Sequence, residues 1–107
     1  MMKKEEEFEI FSASWETAKG TSSKSVAIYF TKNWDIEIEE YLTGGDLEDL
    51  YGDWDHEEYI IVKRLDAPTL MILLFKYSFN QSEPLTFSKL KSILREHSIE
   101  FESVSWT

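Results

Sequence analysis

Eleven carboxylates lie between Lys32 and Lys63, in a stretch that contains no lysine or arginine. The rest of the chain has ten acidic and eleven basic residues, so the formal net charge of -10 comes from this one stretch. A block of like charge raises a strong local potential that attracts cations or basic surfaces. We call residues 34–59 the acidic segment; its carboxylates are Asp35, Glu37, Glu39, Glu40, Asp46, Glu48, Asp49, Asp53, Asp55, Glu57 and Glu58.

Aromatic residues accompany these carboxylates at Trp34, Tyr41, Tyr51, Trp54 and Tyr59. Acidic and aromatic residues together suit the binding of a basic partner, because carboxylates speed association and docked aromatic rings slow dissociation. The alternative interpretation is a solvated surface that only keeps the protein soluble. The candidate partner-binding residues are Trp34, Asp35, Glu37, Glu39, Tyr41, Asp46, Glu48, Asp49, Asp53, Trp54, Asp55 and Glu57.

The spacing of the acids also raises the possibility of a calcium site, because carboxylate oxygens are the ligands that calcium prefers. The twelve-residue calcium loop needs glycine at its sixth position and glutamate at its twelfth. A loop that begins at Asp53 has Glu58 sixth and Arg64 twelfth, and one that begins at Asp49 has Trp54 sixth. Neither loop fits the pattern, so we expect no dedicated metal site and no cofactor.

Catalytic motifs are missing from the sequence. It has no Gly-x-Ser-x-Gly elbow, no glycine-rich phosphate loop and no His-Glu-x-x-His pair. His56 and His97 are far apart in the sequence, and neither has a spaced set of partner residues. We therefore expect that the protein is not an enzyme.

The overall composition indicates an ordered domain, and the lack of cysteine fits a reducing compartment. Hydrophobic residues make up 42% of the chain and aromatic residues 15%, which argues against intrinsic disorder. The chain has no cysteine, and its longest apolar run, Leu70–Phe75, is far shorter than the ~20 residues that span a bilayer. We expect a cytoplasmic protein that does not contact nucleic acid or membranes directly, since both would repel its negative charge.

Three strands are predicted in the first half of the chain. Residues 8–16 and 25–31 have strand composition and are expected to form a hairpin. Residues 34–42 favour a strand, because Ile36 and Ile38 would lie on different faces of a helix, but a helix capped by its aspartate remains the alternative. As a strand, this segment would hold its acids in a row about 6.5–7 Å apart.

The second half of the chain is predicted to supply the remaining strands and the helices. Asp46 can cap a short helix over residues 46–51. Tyr59–Leu65 and Thr69–Phe79 are expected to pair as a hairpin of two strands. An amphipathic helix over about 86–97, capped by Thr86, and a last strand at 99–106 complete the chain.

These elements predict one α+β domain over residues 1–107, with residues 1–7 frayed. Its core would be a five- to six-stranded, mainly antiparallel sheet with the 86–97 helix packed on it. A second, short helix near 46–51 is possible within this arrangement.

No motif identifies a family, but the profile of a small, acidic, aromatic-rich α+β protein without cysteine is similar to that of two groups. These are bacterial toxin-immunity proteins and phage-encoded DNA-mimic or anti-defence inhibitors. The resemblance implies an inhibitory protein whose acidic segment docks onto a basic protein partner, such as a nuclease or another nucleic-acid enzyme. The sequence leaves the oligomeric state open.

The alternative hypothesis is a regulatory module that responds to a small ligand or a cation, or a subunit of a larger assembly. In that case the acidic segment is only a solvated surface. The binding site would then lie in a pocket between the sheet and a helix.

Overall fold

A computed structural model of the protein describes residues 4–44, 55–80 and 83–106. Within these ranges the chain forms an antiparallel sheet of five strands in the order β1-β2-β3-β4-β5, with a short 3-10 helix (Arg64–Asp66) and two α-helices between β4 and β5. The elements are β1 (Lys4–Thr17), β2 (Gly20–Thr31), β3 (Ile36–Thr43), β4 (Asp55–Val62), α1 (Ala67–Asn80), α2 (Phe87–Glu96) and β5 (Phe101–Trp106).

The predicted α+β class and the five-stranded antiparallel sheet are confirmed. The hairpin of β1 and β2 forms as expected, and its turn is held by Thr17 Oγ1, which donates to the carbonyl of Gly20 at 2.8 Å. Gly20 has a φ of 114°, which a residue without a Cβ adopts most readily. β1 begins at Lys4, inside the segment 1–7 that was expected to fray.

In the second half of the chain, the helix predicted over about 86–97 is confirmed, and the strand predicted over Thr69–Phe79 is wrong. Thr86 caps α2 by accepting a hydrogen bond from the backbone N–H of Lys89 at 3.1 Å. The strand predicted over Thr69–Phe79 is instead the helix α1, so the hairpin with Tyr59–Leu65 does not form. The possible helix at 46–51 lies outside the described residues.

The spacing of its apolar residues explains why α1 is a helix. The run is apolar at almost every position and lacks the period-two alternation of a half-buried strand. Leu70, Leu73, Leu74 and Tyr77 are spaced three and four residues apart, and all four pack against the core. Pro68 lies in the first turn, where its missing N–H costs the helix no hydrogen bond.

Both helices pack on one face of the sheet, which we call the helix-bearing face. Sheet residues Ile38, Ile60 and Val62 are at most 4% exposed there and form one cluster with buried residues of the helices. The helical members and the residue after α2 are Leu70, Leu73, Phe87, Leu90, Ile93, Leu94 and Ile99. Neither α1 nor α2 has the length and apolar character that a membrane crossing requires, and the described residues contain no other candidate.

Candidate interaction face

Strand geometry divides the acidic segment between the two faces of the sheet, because successive side chains of a strand point in opposite directions. On β3, Glu40 lies on the same face as the core residue Ile38, whereas Glu37 and Glu39 lie on the opposite face. On β4 the same rule places Glu58 on the helix-bearing face. We call the opposite side the open face, since no helix of the described ranges packs on it.

Glu40 and Glu58, the described acids of the segment on the helix-bearing face, are paired with the chain's own lysines. Lys24 Nζ lies 3.4 Å from Glu40 Oε2, and Lys91 Nζ forms a salt bridge with Glu58 Oε2. Ser103 Oγ also donates to Glu58 Oε2 at 3.3 Å. Glu58 thus joins the sheet to α2, and Glu40 joins β3 to β2, so neither carboxylate belongs to a docking surface.

Asp35, a predicted partner-binding residue, holds the turn between β2 and β3. Its side chain is buried, and Oδ1 accepts a hydrogen bond from the backbone N–H of Arg64 at 3.0 Å. Its Oδ2 lies 3.7 Å from Lys63 Nζ. Its own N–H donates to Thr31 Oγ1 at 3.2 Å. Asp35 therefore ties the start of β3 to the end of β4 and lies apart from the carboxylates of the open face.

Trp34, the predicted aromatic anchor, is 58% exposed but does not lie beside those carboxylates. Its ring centroid is 5.9 Å from that of Phe30, which is opposite Ile36 and so belongs to the helix-bearing face. Phe8 contacts Phe30 edge to face at 5.9 Å. Trp34 thus extends an aromatic cluster on the other side of the sheet.

The open face collects carboxylates and tyrosines from all five strands. Glu37, Glu39, Tyr41, Asp55 and Glu57 come from the predicted set. From Glu7 onward, no lysine or arginine occupies a described strand position on this face. We define the carboxylate–tyrosine face as Glu7, Glu9, Tyr29, Glu37, Glu39, Tyr41, Asp55, Glu57, Tyr59 and Glu102.

Three phenols on this face donate hydrogen bonds to its carboxylates. Tyr59 donates to Glu57 Oε2 at 2.6 Å, within one strand. Tyr29 donates to Glu7 Oε1 at 3.2 Å across the β1–β2 pair. Tyr41 donates to Asp55 Oδ2 at 3.3 Å across the β3–β4 pair. These bonds hold the acids at fixed positions on a rigid sheet.

Burial and the surrounding acids keep the phenols protonated. Burial raises the pKa of Tyr29 well above its usual value, and the charge of Glu39 raises it further. Burial also raises the pKa of Tyr59, together with its hydrogen bond to Glu57. The pKa of Tyr41 is raised by burial and by the charge of Asp55. At neutral pH all three therefore remain donors, so the negative charge of the face comes from its carboxylates alone.

Exposure differs across the face in a way that suits docking. Its centre is closely packed, since Glu37 is 4% and Tyr59 7% exposed. Glu39 and Glu57 are half-buried, and Asp55 is exposed. Carboxylates in such positions are partly desolvated and oriented, which strengthens their hydrogen bonds to a guanidinium or ammonium group.

The residues that β1, β2 and β5 contribute to this face were not predicted from the sequence. The pattern Glu7-Phe8-Glu9 alternates acid and aromatic at strand period, and this signal could have identified Glu7 and Glu9. Five predicted partner-binding residues lie outside the described residues: Asp46, Glu48, Asp49, Asp53 and Trp54.

A groove of about 480 Å³ lies on the other side of the sheet, between β2, β3 and the two helices. Its walls are largely apolar and include Ile28, Leu74 and Leu90. The ion pair of Lys24 and Glu40 also lines it. This groove is the pocket between sheet and helix that the alternative hypothesis requires.

The chain matches no family model, no curated protein and no solved structure. Within the residues that the structure describes, no three histidine, aspartate or glutamate side chains are grouped so that they could hold a metal ion.

Proposed function

We propose that this protein is a small inhibitory binding protein that docks its carboxylate–tyrosine face onto a cationic surface of another protein. The observation that supports the proposal is the strand register, which brings acids from β1, β3, β4 and β5 onto one face. Acids of the same sequence segment that point the other way, such as Glu40 and Glu58, are paired with internal lysines. The sheet thus separates structural acids from those available to a partner.

The chemistry of the face favours arginine- and lysine-rich partners. Like-charged carboxylates steer a cationic partner toward the face and speed association. On contact, half-buried carboxylates such as Glu39 and Glu57 accept bidentate hydrogen bonds from guanidinium groups. The rings of Tyr41 and Tyr59 supply flat apolar area beside the acids on which a guanidinium can stack.

A protein groove that binds nucleic acid is the kind of partner that this array suits. Alternate acids on one strand, such as Asp55 and Glu57, are about 6.5–7 Å apart, and neighbouring strands are about 4.7–4.9 Å apart. Such an array offers a basic groove negative groups at phosphate-like spacing. Occupation of the groove would exclude the nucleic acid, which gives an inhibitory function of the immunity or DNA-mimic type.

Two variants with the same change in net charge test the proposal. A deca-arginine peptide is the probe, and its affinity is measured by isothermal titration calorimetry at low and high salt. The control replaces exposed acids that lie off the face. The face variant combines Glu39→Gln, Asp55→Asn and Glu57→Gln, and the control combines Glu83→Gln, Glu96→Gln and Glu100→Gln.

We expect the face variant to weaken peptide binding about ten-fold or more, and the control by less than about three-fold. Affinity should also fall with added salt, because the attraction is electrostatic. Equal losses in both variants would mean that only net charge matters and that no specific face exists. Affinity capture from the native cells, with elution at high salt, then identifies the partner.

The groove supports a second candidate function, a regulatory module that binds an apolar small molecule. Its volume of about 480 Å³ is in the range of natural ligand sites. A thermal-shift screen against apolar metabolites tests this function. A salt-independent increase in melting temperature that Leu74→Trp abolishes, and that the face variant retains, would favour the groove over the face.

A further inference from the structure

Helix α1 is apolar on its outer side as well as on its inner side. Lys76 is its only charged residue, and the whole helix contains no aspartate or glutamate. Its inner side packs Leu70 and Leu73 against the core. A helix that is apolar all round is normally buried on every side.

The outer side of α1 forms a continuous apolar stripe in this single chain. Ile72 is 67% exposed, Phe75 60% and Phe79 85%. Leu65, just before the helix, is 86% exposed, and Met71 beside the stripe is 57% exposed. The steps between positions 65, 72, 75 and 79 are seven, three and four residues, which is the spacing of a helix–helix contact seam.

The exposed area is large enough for a stable protein interface. With roughly 200 Å² for each large apolar side chain, these five residues expose about 700 Å². That is close to the about 800 Å² that each partner buries in a typical specific complex. Monomeric proteins seldom leave a contiguous apolar patch of this size in contact with water.

We propose that α1 is the interface of a two-fold symmetric homodimer, in which it packs antiparallel against α1 of a second copy. A second copy fits because the stripe complements itself about an axis between positions 73 and 74. Ile72 then meets Phe75 of the second copy, and Phe79 meets Pro68. The same two contacts recur on the other side of the axis, as an isologous interface requires.

The distribution of charge explains why two copies would associate through α1 and not through another surface. Each copy carries a net charge of -10, so most approaches of two copies are repulsive. The outer side of α1 contributes no carboxylate, and the stem of Lys76 can cover Met71 of the second copy. The carboxylate–tyrosine face lies on the opposite side of the sheet, so association through α1 keeps the two acidic faces apart.

The dimer does not depend on the proposed function, but it would strengthen the binding of the carboxylate–tyrosine face to some partners. A dimer through α1 presents two carboxylate–tyrosine faces in outward directions. Binding of one face to a partner with two cationic sites would raise the effective concentration of the other face. The dimer would therefore bind extended or repeated basic surfaces more tightly than the monomer.

Sedimentation equilibrium of the 107-residue chain tests the inference. We expect the unmodified protein at micromolar concentrations to have twice its chain mass of 12.6 kDa. Phe75→Glu should give a folded monomer, because it places two buried carboxylates at the centre of the interface. The control Ile10→Glu, at a β1 position that is 57% exposed, should remain a dimer. A monomeric unmodified protein, or a dimer that survives Phe75→Glu, would overturn the inference.

Cross-linking gives a second test that does not depend on a destabilising charge. Because the chain has no cysteine, single thiols can be introduced without background. An equal mixture of Ile72→Cys and Phe75→Cys proteins should form the mixed disulfide faster than either protein with Ile10→Cys. Equal rates for all pairs would overturn the proposed axis. Binding of a monomer to phosphatidylcholine vesicles, or capture of a different protein by α1, would also overturn the inference.

Discussion

The hydroxyl of Tyr59 donates a 2.6 Å hydrogen bond to Glu57 Oε2, two residues earlier on the same strand. Both side chains lie on the open face, where Tyr59 is only 7% exposed. The phenol fixes the direction of one carboxylate oxygen of the half-buried Glu57. This arrangement combines a rigid acid with an aromatic surface, which is the basis of the proposed docking face.

Tyr59→Phe should destabilise the protein by about 1–2 kcal/mol, because it removes a buried donor to a charged acceptor. Tyr41→Phe is the matched control: its bond to Asp55 is 3.3 Å long and exposed, so we expect a loss below about 0.5 kcal/mol. Urea unfolding monitored by circular dichroism measures both free energies of unfolding. Similar losses for the two variants would contradict the role assigned to the Tyr59–Glu57 bond.

Stability should fall at alkaline pH because of the tyrosines. The pKa values of Tyr29 and Tyr59 are raised in the folded protein, so folding favours the protonated phenols. Their contribution is fully present below the unfolded pKa of 10.0 and is lost as the pH rises through the folded values. Tyrosinate absorbance at 295 nm should therefore rise together with loss of the circular dichroism signal. Ionisation of these two phenols near pH 10 in a folded protein would contradict this prediction.

Asp35→Ala should affect stability rather than binding. It leaves the N–H of Arg64 without its carboxylate acceptor and removes the ion pair with Lys63, so we expect a loss of about 1–3 kcal/mol. Asp55→Ala, at an exposed position of the face, should cost less than about 0.5 kcal/mol. Deca-arginine affinity should change in the opposite order, falling for Asp55→Ala and not for Asp35→Ala. A loss of deca-arginine affinity for Asp35→Ala and not for Asp55→Ala would mean that Asp35 belongs to the docking surface.

Leu94→Ala should be among the most damaging single changes. Leu94 is 0% exposed between α2 and the sheet, so its truncation leaves a cavity and costs about 2–5 kcal/mol. Leu85→Ala, at a position that is 37% exposed, should cost less than about 1 kcal/mol. Thermal unfolding of both variants checks the prediction. Equal shifts in melting temperature would contradict the position of the core.

The elements that the sequence predicted well are those with local signals. Alternation of apolar residues identified β2 and β3, and Thr86 marked the start of α2. The apolar run of α1 gave no such signal, because it has neither alternation nor a polar side. Tertiary packing of Leu70 and Leu73 makes it a helix, and its outer stripe hid the helical period.

The sequence predicted a candidate site within one segment, residues 34–59. In the structure, the acids of the open face come from several strands. Glu9 lies opposite Ala27, which in turn lies opposite Glu39, so acids thirty residues apart share one row. No local pattern connects these positions, because the register of three strands decides which acids become neighbours. The same register directs Glu40, adjacent to Glu39, into an ion pair on the opposite side.

A nitrogen–proton correlation spectrum recorded while deca-arginine is added shows which face of the sheet binds the peptide. We predict that backbone amide shifts concentrate at the carboxylate–tyrosine face, including Glu39, Tyr41 and Glu57, and disappear in high salt. Amides of Leu74 and Leu90 in the groove should not move. Shifts spread evenly over all exposed acids, or concentrated in the groove, would contradict a docking face on the open side of the sheet.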